Sequence, residues 1–342
     1  MVRISQYCNS KARHVAHGLL FAGALAAALP LCAAAQSMDT YPSKPVKMLI
    51  PYAPGGATDI IARHVANRLN ETPGQNFVVE NRPGAAGNIA LEAVAKAAPD
   101  GYTLLVGNVS TNTINESTFA DVMRFKPSQA FVAITKLVEI PHIIVATASF
   151  APNNVADAIA LFKKNPGKYN YASAGLGTYP HLDMLRFIKA TGIEITHVPY
   201  NGGAGQIVPA LMSGETQVSF LNLSSTLEQI KAGRLKAIAT TMPTRLAELP
   251  NVGTMAEQGY PGIGTNAWQG LFAPVATPKP IVDKLYSMTV AVLSRPEMKE
   301  TLARQMMTVT LSASPQEFTE LVQKETQAWG EFVRENKIKI SK

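Results

Sequence analysis

The chain has 342 residues, of which 46% are hydrophobic and 16% are charged. This balance excludes a generally disordered chain, and the length is typical of about two ordinary domains. The formal net charge is +7, but no run of Lys and Arg carries interleaved aromatic residues, so nucleic acid is not an expected partner.

Residues 1–35 have the pattern of a secretory signal peptide. Three basic residues and no acidic one precede an apolar run over residues 18–31, and the run ends beside small residues of the kind that signal peptidase accepts. Because the run is shorter than the roughly 20 residues that span a bilayer, a retained membrane anchor is the less favoured interpretation. We expect cleavage near Ala35 and export to the periplasm.

Setting this segment aside changes the cysteine and charge counts. Both cysteines, Cys8 and Cys32, belong to it, so the remaining chain is predicted to have no disulfide, no thiolate nucleophile and no Cys-bound metal. The net charge falls from +7 to about +4, because three basic residues leave with the signal.

Strands, Gly-rich turns and helices alternate in the first part of the remaining chain. After the first turn, Ile61, Val65 and Leu69 recur at a spacing of four, which is typical of a helix. Short apolar runs before each turn indicate buried strands. The predicted strands lie at residues 46–51, 77–80 and 102–106, and the turns at residues 54–59, 81–88 and 107–112.

The same alternation resumes after Pro141. Predicted strands lie at residues 143–147, 169–172, 195–199, 217–221 and 235–240, and predicted helices at residues 155–164, 180–190, 207–212 and 227–232. A further strand is expected near residues 267–271, and the chain beyond Pro280 is mostly helical. The pattern predicts an α/β fold with mostly parallel sheets, in two lobes joined by crossing strands rather than by a linker.

Four polar loops follow predicted strands and precede helices. Their sequences are PGGATD, GNVSTNT, SAGLGTYPH and PYNGGAG. Ligands of open α/β sheets bind beyond the carboxyl ends of the strands, and a helix N-terminus there attracts an anion without the help of Arg. One such loop is often only a turn, but four together favour a binding site. The loops contain no Lys or Arg, which favours a monocarboxylate, an amide-bearing ligand or an aromatic acid.

Catalytic signatures are absent from the sequence. No phosphate-binding loop, dinucleotide fingerprint, nucleophile elbow or zinc-protease motif occurs, so we predict neither an enzyme nor a bound cofactor or metal. Among the remaining histidines, His64 is expected in solvent, and His142 and His197 are expected to be structural. His181 follows the third loop and could face a ligand. Trp268 is expected in the core.

From about Tyr41 to its end, the chain resembles the Bug family, the periplasmic solute-binding proteins of tripartite tricarboxylate transporters. The stretches that carry the resemblance are YPSKPVKMLIPYAPGGATDIIARHVANRL, VVENRPGAAGNIALEAVAKAAPDGYTLLVGN, YASAGLGTYPHL, THVPYNGG, IKAGRLKAIA and WQGLFAPVATPKPIVDKL. The resemblance implies a two-lobed periplasmic binding protein fold of the type II-like kind, with a mostly parallel sheet in each lobe. It implies that residues 41–140 plus 268–342 form lobe 1 and residues 141–267 form lobe 2.

The resemblance also implies a ligand site, carried over by position. The candidate ligand-binding residues are Tyr52, Gly55, Gly56, Ala57, Thr58 and Asp59 in the first loop, Asn108, Ser110 and Thr111 in the second, Ser173, Ala174, Gly175, Gly177, Thr178 and His181 in the third, and Tyr200, Asn201 and Gly202 in the fourth. The chain departs from the family at Leu185, where an acid is frequent, and at residues 204–206, which delay the usual Pro. Both departures lie beside the pocket, so the family pattern does not fix the ligand.

The resemblance implies a monomer that captures a small organic acid and passes it to a large and a small membrane subunit. A sensor that docks the same clamp on a signalling receptor is an alternative that the sequence leaves open. A remote alternative is an exported hydrolase, which requires an activated Ser, a metal or paired acids, and the sequence indicates none of these.

Overall fold

The computed structural model describes residues 41–265 and 267–338, so the predicted signal peptide lies outside the described residues. In chain order the strands are β1 (Val46–Ile50), β2 (Phe77–Asn81), β3 (Thr103–Asn108), β4 (Phe131–Ile140), β5 (His142–Thr147), β6 (Asn170–Ser173), β7 (Thr196–Pro199), β8 (Val218–Asn222), β9 (Leu235–Thr240), β10 (Ala267–Pro274) and β11 (Thr308–Val309).

The α-helices follow most of the strands, as the alternating pattern predicts. They are α1 (Ala57–Leu69), α2 (Asn88–Ala95), α3 (Asn115–Thr118), α4 (Pro127–Ala130), α5 (Val155–Lys164), α6 (Tyr179–Thr191), α7 (Ala204–Ser213), α8 (Leu223–Lys231), α9 (Lys279–Leu293), α10 (Pro296–Ala303) and α11 (Pro315–Glu335). A 3₁₀ turn (Ala85–Gly87) precedes α2, and a π-helical turn (Ser110–Ile114) precedes α3. Within the described parts of the chain, no helix is both long enough and apolar enough to cross a membrane.

The strands form two sheets, one in each lobe. The lobe 1 sheet has the order β11-β4-β10-β3-β1-β2, and the lobe 2 sheet has the order β7-β6-β8-β5-β9. Both sheets are mixed. The pairs β1–β2, β1–β3, β6–β7 and β6–β8 are parallel, whereas β10 runs antiparallel to β3 and β4, and β5 runs antiparallel to β8 and β9.

The predicted two-lobed α/β architecture is confirmed, but the expectation of mostly parallel sheets is wrong. A crossover helix forces parallel pairing only between the strands that it joins. Strands β5 and β10 are the first strands after the chain passes from one sheet to the other, and no helix joins either of them to the strands beside it in the new sheet. Each therefore runs antiparallel to both of its neighbours.

The passage between the lobes is short on its first occurrence. Strand β4 ends at Ile140 and β5 begins at His142, so Pro141 alone separates the two sheets. The return passage lies between Thr240, where β9 ends, and Ala267, where β10 begins. The chain thus passes from one sheet to the other close to the predicted lobe boundaries. The exact residues at which each lobe begins and ends stay a prediction.

Separate apolar cores hold the two sheets. In lobe 1, Trp268 and Phe318 pack edge to face with ring centroids 5.3 Å apart, and the buried Trp268 indole donates a 2.8 Å hydrogen bond to Glu325. The expected core position of Trp268 is confirmed. The predicted periodicity of α1 is confirmed as well, since Ile61, Val65 and Leu69 are all buried.

Candidate functional site

A small cavity lies between the lobes, at the carboxyl ends of strands from both sheets. Lobe 1 lines it with Tyr52, Gly56, Ala57, Thr58 and Asn108, and lobe 2 lines it with Ala174, Tyr179, Pro180, Gly203, Ala204, Leu221 and Asn222. The cavity volume is about 30 Å³, which is room for about two water-sized groups. Entry of a larger molecule therefore requires the lobes to part.

Four helices begin at the walls of this cavity. They are α1, α6, α7 and α8, which start at Ala57, Tyr179, Ala204 and Leu223. The first N–H groups of a helix have no partner inside the helix, and they carry a partial positive charge. None of the described residues that line the cavity is charged. The cavity therefore faces helix N-termini and their dipoles rather than a charged side chain, and the first N–H groups of α6 and α8 already donate to Ser110 Oγ and to the Pro141 carbonyl.

The first loop is held from below by Asp59. This buried carboxylate accepts hydrogen bonds from the Gly55 N–H at 3.0 Å, from Arg63 at 3.0 Å and from the Asn81 amide at 2.9 Å. Burial raises the pKa of Asp59, but these hydrogen bonds and the Arg63 charge outweigh it, and the pKa ends below its usual value. Asp59 is thus engaged with its own loop, which it shapes, rather than with the cavity.

The floor of the lobe 1 wall is a Tyr–Asn pair. The Tyr52 hydroxyl donates to Asn108 Oδ1 at 3.4 Å, and the same oxygen accepts from the Ser110 N–H at 2.9 Å. Burial raises the pKa of Tyr52 to about 12, so its hydroxyl stays protonated. The backbone N–H of Asn108 in turn donates to Thr111 Oγ1 at 3.0 Å. Ser110 and Thr111 therefore support Asn108.

Thr58 is oriented by a residue from a distant part of the chain. Its hydroxyl donates a 2.6 Å hydrogen bond to Gln269 Oε1 on β10. Gln269 is fully buried, and its Nε2 has no hydrogen-bond partner among the described residues. Because the one hydroxyl proton of Thr58 is used on Gln269, Thr58 presents lone pairs to the cavity.

The third loop is held by neutral side chains. Ser173 Oγ lies 2.6 Å from His197 Nε2 and donates to the Gly175 carbonyl at 3.0 Å, and Gly177 N–H donates to His181 Nδ1 at 3.0 Å. Thr178 Oγ1 also donates to the Gly175 carbonyl, at 2.7 Å. Ser173 and Thr178 are fully buried, so both shape the loop from within it.

Two stacked imidazoles lie beneath the third loop. The rings of His181 and His197 are 4.3 Å apart, and His197 also stacks on Tyr171 at 4.8 Å. Burial, with a smaller contribution from His197, lowers the pKa of His181 to about 3, and burial lowers the pKa of His197 to about 4. The Ser173–His197 contact resembles a nucleophile–base pair, but the fully buried hydroxyl is already bonded to the loop backbone. The contact is structural.

Direct hydrogen bonds join the two walls. The Ala53 N–H of lobe 1 donates to the Gly202 carbonyl of lobe 2 at 3.0 Å, and the Tyr179 N–H of lobe 2 donates to Ser110 Oγ of lobe 1 at 3.0 Å. A Cβ placed on Gly205 would overlap the carbonyl oxygen of Pro54 across the interface. The closed lobes therefore fit backbone to backbone on this side.

A strained turn takes part in the same contact. Ala85 and Ala86 have φ values of 47° and 53°, in the left-handed region that non-glycine residues rarely adopt. A Cβ on Gly175 would lie 3.3 Å from the Ala86 Cβ, and the Ala86 carbonyl accepts a 3.0 Å hydrogen bond from Asn115. This turn is not among the predicted site residues, yet it contacts the third loop at the edge of the cleft.

Three of the predicted ligand-binding residues lie at the rim of the cleft. Gly55 and Asn201 are exposed, and the Tyr200 hydroxyl donates to Glu215 at 2.7 Å on the surface. Burial and Glu215 raise the pKa of Tyr200 to about 12. The structure brings Tyr52, Gly56, Ala57, Thr58, Asn108 and Ala174 together on the cavity wall, whereas Asp59, Ser110, Thr111, Ser173, Gly175, Gly177, Thr178, His181 and Gly202 support or join the walls.

Sequence reasoning missed several wall residues, of which Asn222 is the most informative. Asn222 ends β8 and precedes α8, so it occupies the same kind of strand-to-helix junction as the four predicted loops. The predicted helix at residues 227–232 begins four residues too late, and this error hid the junction. Tyr179 and Pro180 belong to the third polar loop, SAGLGTYPH, so the position of that loop between a strand and a helix was enough to predict them as wall residues.

The described residues also include two surface hollows that are larger than the cavity between the lobes. No group of three or more His, Cys, Asp or Glu side chains in residues 41–265 and 267–338 could hold a metal ion. Two larger hollows, of about 490 and 620 Å³, lie on the surface beside the end of α11. Both are bordered by Ile338, the last described residue.

A two-lobed α/β protein with an uncharged cavity between its lobes has the architecture of the solute-binding proteins. The chain matches the model of the tripartite tricarboxylate transporter family receptor over residues 61–338, and it therefore belongs to that family.

Similar proteins include BugD, a periplasmic binding protein of solved structure, which is 33% identical with a TM-score of 0.81 and matches over 88% of this chain and 100% of that protein. Protein BugT of Bordetella pertussis is 33% identical, over 90% of this chain and 94% of that protein. A protein of R. palustris solved with adipate is 32% identical, with a TM-score of 0.81, and the match covers 86% of this chain and 97% of that protein. MatC from Rhodopseudomonas palustris, solved with bound malate, is 30% identical, with a TM-score of 0.80 and coverage of 86% and 100%.

Proposed function

We propose that this protein captures a small carboxylate between its lobes in the periplasm and delivers it to the large and small membrane subunits of a tripartite transporter. The observation that carries the proposal is the convergence of four helix N-termini, from both lobes, on one cavity with an uncharged lining. Such an environment stabilises an anion through N–H groups and helix dipoles. The relatives solved with adipate and malate support the same ligand chemistry.

The proposed binding residues are the predicted ones on the wall, extended by Tyr179, Gly203 and Asn222. The predicted residues beneath the wall act by holding the loops in place. Because the lining offers no cation, a ligand with one carboxylate and a neutral polar remainder suits the cavity best. A second carboxylate would depend on uncharged donors alone, and the hydroxyl protons of Tyr52 and Thr58 are already used on Asn108 and Gln269.

The proposed mechanism is lobe closure. A ligand that touches both walls binds the closed state more tightly than the open one, so it shifts the population toward closure. The direct bonds between the walls then add to the ligand's own contacts. Membrane subunits that recognise the closed arrangement would take up the ligand only from a loaded protein.

A thermal-shift screen tests the capture step. Protein isolated from the periplasmic fraction is screened against malate, adipate, short monocarboxylates, aromatic acids and matched amides. A ligand at one hundred times its Kd stabilises the folded state by about 2.7 kcal/mol, which is a readily measured shift. Stabilisation by at least one carboxylate, and not by its amide, is the expected result. A folded protein that none of the acids stabilises, and from which native mass spectrometry releases no bound acid, contradicts the proposal.

A reconstituted uptake assay tests the delivery step. Proteoliposomes that contain the two membrane subunits should accumulate the labelled carboxylate only when the binding protein is present outside. Capture without any stimulation of uptake would favour the sensor alternative.

A further inference from the structure

His142 lies outside the predicted loops, yet it borders the ligand cavity through one neighbour. It begins β5 directly after Pro141, at the first passage between the lobes, and it is fully buried. In the antiparallel pairing of β5 with β8, His142 stands opposite Asn222. Asn222 lines the cavity, so His142 is placed one residue behind the wall.

The contact between the two side chains is short and directional. His142 Nε2 lies 2.7 Å from Asn222 Oδ1. An amide oxygen only accepts hydrogen bonds, so Nε2 must carry a proton and donate it. The Asn222 oxygen is thereby committed to the imidazole. The NH₂ group of this cavity-lining amide remains as its donor, for the neighbouring Tyr179 hydroxyl or for a ligand.

Groups on α6 and at the second passage between the lobes surround the imidazole. The ring packs against Tyr179 with centroids 4.4 Å apart. Nδ1 has no hydrogen-bond partner among the described residues and lies 3.8 Å from Asp183 Oδ2. Asp183 is itself bonded by the Thr265 N–H and hydroxyl at 2.9 and 2.8 Å, with Arg186 at 3.7 Å.

We propose that His142 is a positioning residue of the ligand site, which fixes Asn222 as a hydrogen-bond donor to a carboxylate oxygen in the cavity. This inference rests on the proposed function. The neutral tautomer protonated at Nδ1 would reverse the arrangement, because its Nε2 would accept from the Asn222 NH₂ group. The amide oxygen would then face the cavity and repel a carboxylate.

The tautomer of His142 is measured directly by nitrogen NMR on protein labelled at histidine. The signal is assigned by its loss in the variant His142→Gln. A protonated Nε2 is the expected result, in the neutral or the cationic ring. A neutral ring protonated at Nδ1 overturns the proposal, whichever ligand the protein binds.

Two substitutions at the same position separate positioning from packing. In His142→Gln the amide nitrogen takes the place of Nε2, so a donor to Asn222 remains, whereas in His142→Asn the shorter side chain cannot reach it. With malate and adipate as probes, calorimetry should show affinities within about threefold of the wild type for His142→Gln and at least about tenfold weaker for His142→Asn. Equal affinities of the two variants overturn the proposal.

The controls distinguish this inference from the proposed function. Unfolding of both variants without ligand shows whether a loss of affinity follows a loss of folded protein. A wild type that binds neither probe nor any other carboxylate refutes the proposed function, and the tautomer measurement still decides the role of His142.

Asn222→Asp, which keeps the acceptor toward His142 but loses the donor, should abolish carboxylate binding. Unchanged binding by this variant also overturns the proposal.

Discussion

The loop at the start of α1 in lobe 1 is held by a carboxylate, whereas the loop before α6 in lobe 2 is held by neutral side chains. The Asp59 carboxylate accepts hydrogen bonds from the Gly55 N–H, Arg63 and Asn81, and its pKa lies below the usual value. Ser173 and His181 hold the other loop, and the pKa of His181 is lowered to about 3. The loop in lobe 1 therefore depends on an ionised Asp59, whereas the loop in lobe 2 depends on a neutral His181.

This difference sets different acid limits for the two walls. Asp59 contributes stability that is present above its unfolded pKa of about 3.9 and is lost as the pH falls through its lower folded pKa. The histidines contribute stability that is present above an unfolded pKa of about 6.5 and is lost as the pH falls toward their folded values. Acid should therefore loosen lobe 2 before lobe 1.

The largest expected effect is that of Asp59→Ala. Three donors, from Gly55, Arg63 and Asn81, lose their shared buried acceptor, so the free energy of unfolding should fall by about 3 kcal/mol. Urea unfolding at neutral pH measures the loss. As a control, Asp283→Ala breaks the exposed Lys279–Asp283 pair and should cost less than about 1 kcal/mol. Equal effects of the two substitutions would show that Asp59 does not anchor its loop.

The next effect is the pH dependence of lobe 2. Between pH 6.5 and pH 5 the unfolded state binds a proton at His181 that the folded state excludes, so stability should fall by about 2 kcal/mol from this group. Urea midpoints measured across this range, with an unchanged slope, test the prediction. The variant His181→Gln should show a shallower fall, and a flat wild-type profile would contradict the neutral stack.

A third prediction concerns the contact between the walls. Gly205→Ala places a Cβ against the Pro54 carbonyl, so it should hinder closure while each lobe stays folded. The Kd of the best carboxylate from the thermal-shift screen should rise at least tenfold, or about 1.4 kcal/mol. In the control Gly56→Ala the new Cβ meets Ala204 at an ordinary 3.8 Å, so the effect should be smaller. Scattering profiles of the liganded Gly205→Ala variant that match the wild type would refute the prediction.

The smallest effect is expected for Ser173→Ala. The substitution removes a hydroxyl that bonds Gly175 and His197, and it leaves the charges of both walls unchanged. The free energy of unfolding should fall by about 1 kcal/mol, the usual contribution of an intramolecular hydrogen bond. A loss as large as that of Asp59→Ala, measured by the same urea unfolding, would remove the contrast between the walls.

Local patterns were sufficient to predict most of the helices and loops that build the site, but not the start of α8 and with it the junction at Asn222. The spacing of Ile61, Val65 and Leu69 predicts α1, and the Gly-rich junctions predict where the cavity lies along the chain. The pairing direction of β10 and the strand β4 were not predicted, because sheet pairing depends on contacts that are remote in sequence. Interactions such as Thr58–Gln269 and His142–Asn222 join residues 211 and 80 positions apart, and no local pattern indicates them.

The small volume of the cavity has a consequence for the rate of release. A molecule larger than this residual space does not fit while the lobes are together as they are here, so both its entry and its release require the lobes to move apart. The dwell time of a tightly held molecule then depends on how often the lobes open, as well as on its own contacts. Chemically different cargoes should therefore share a common upper limit on their dissociation rates, set by the motion of the protein.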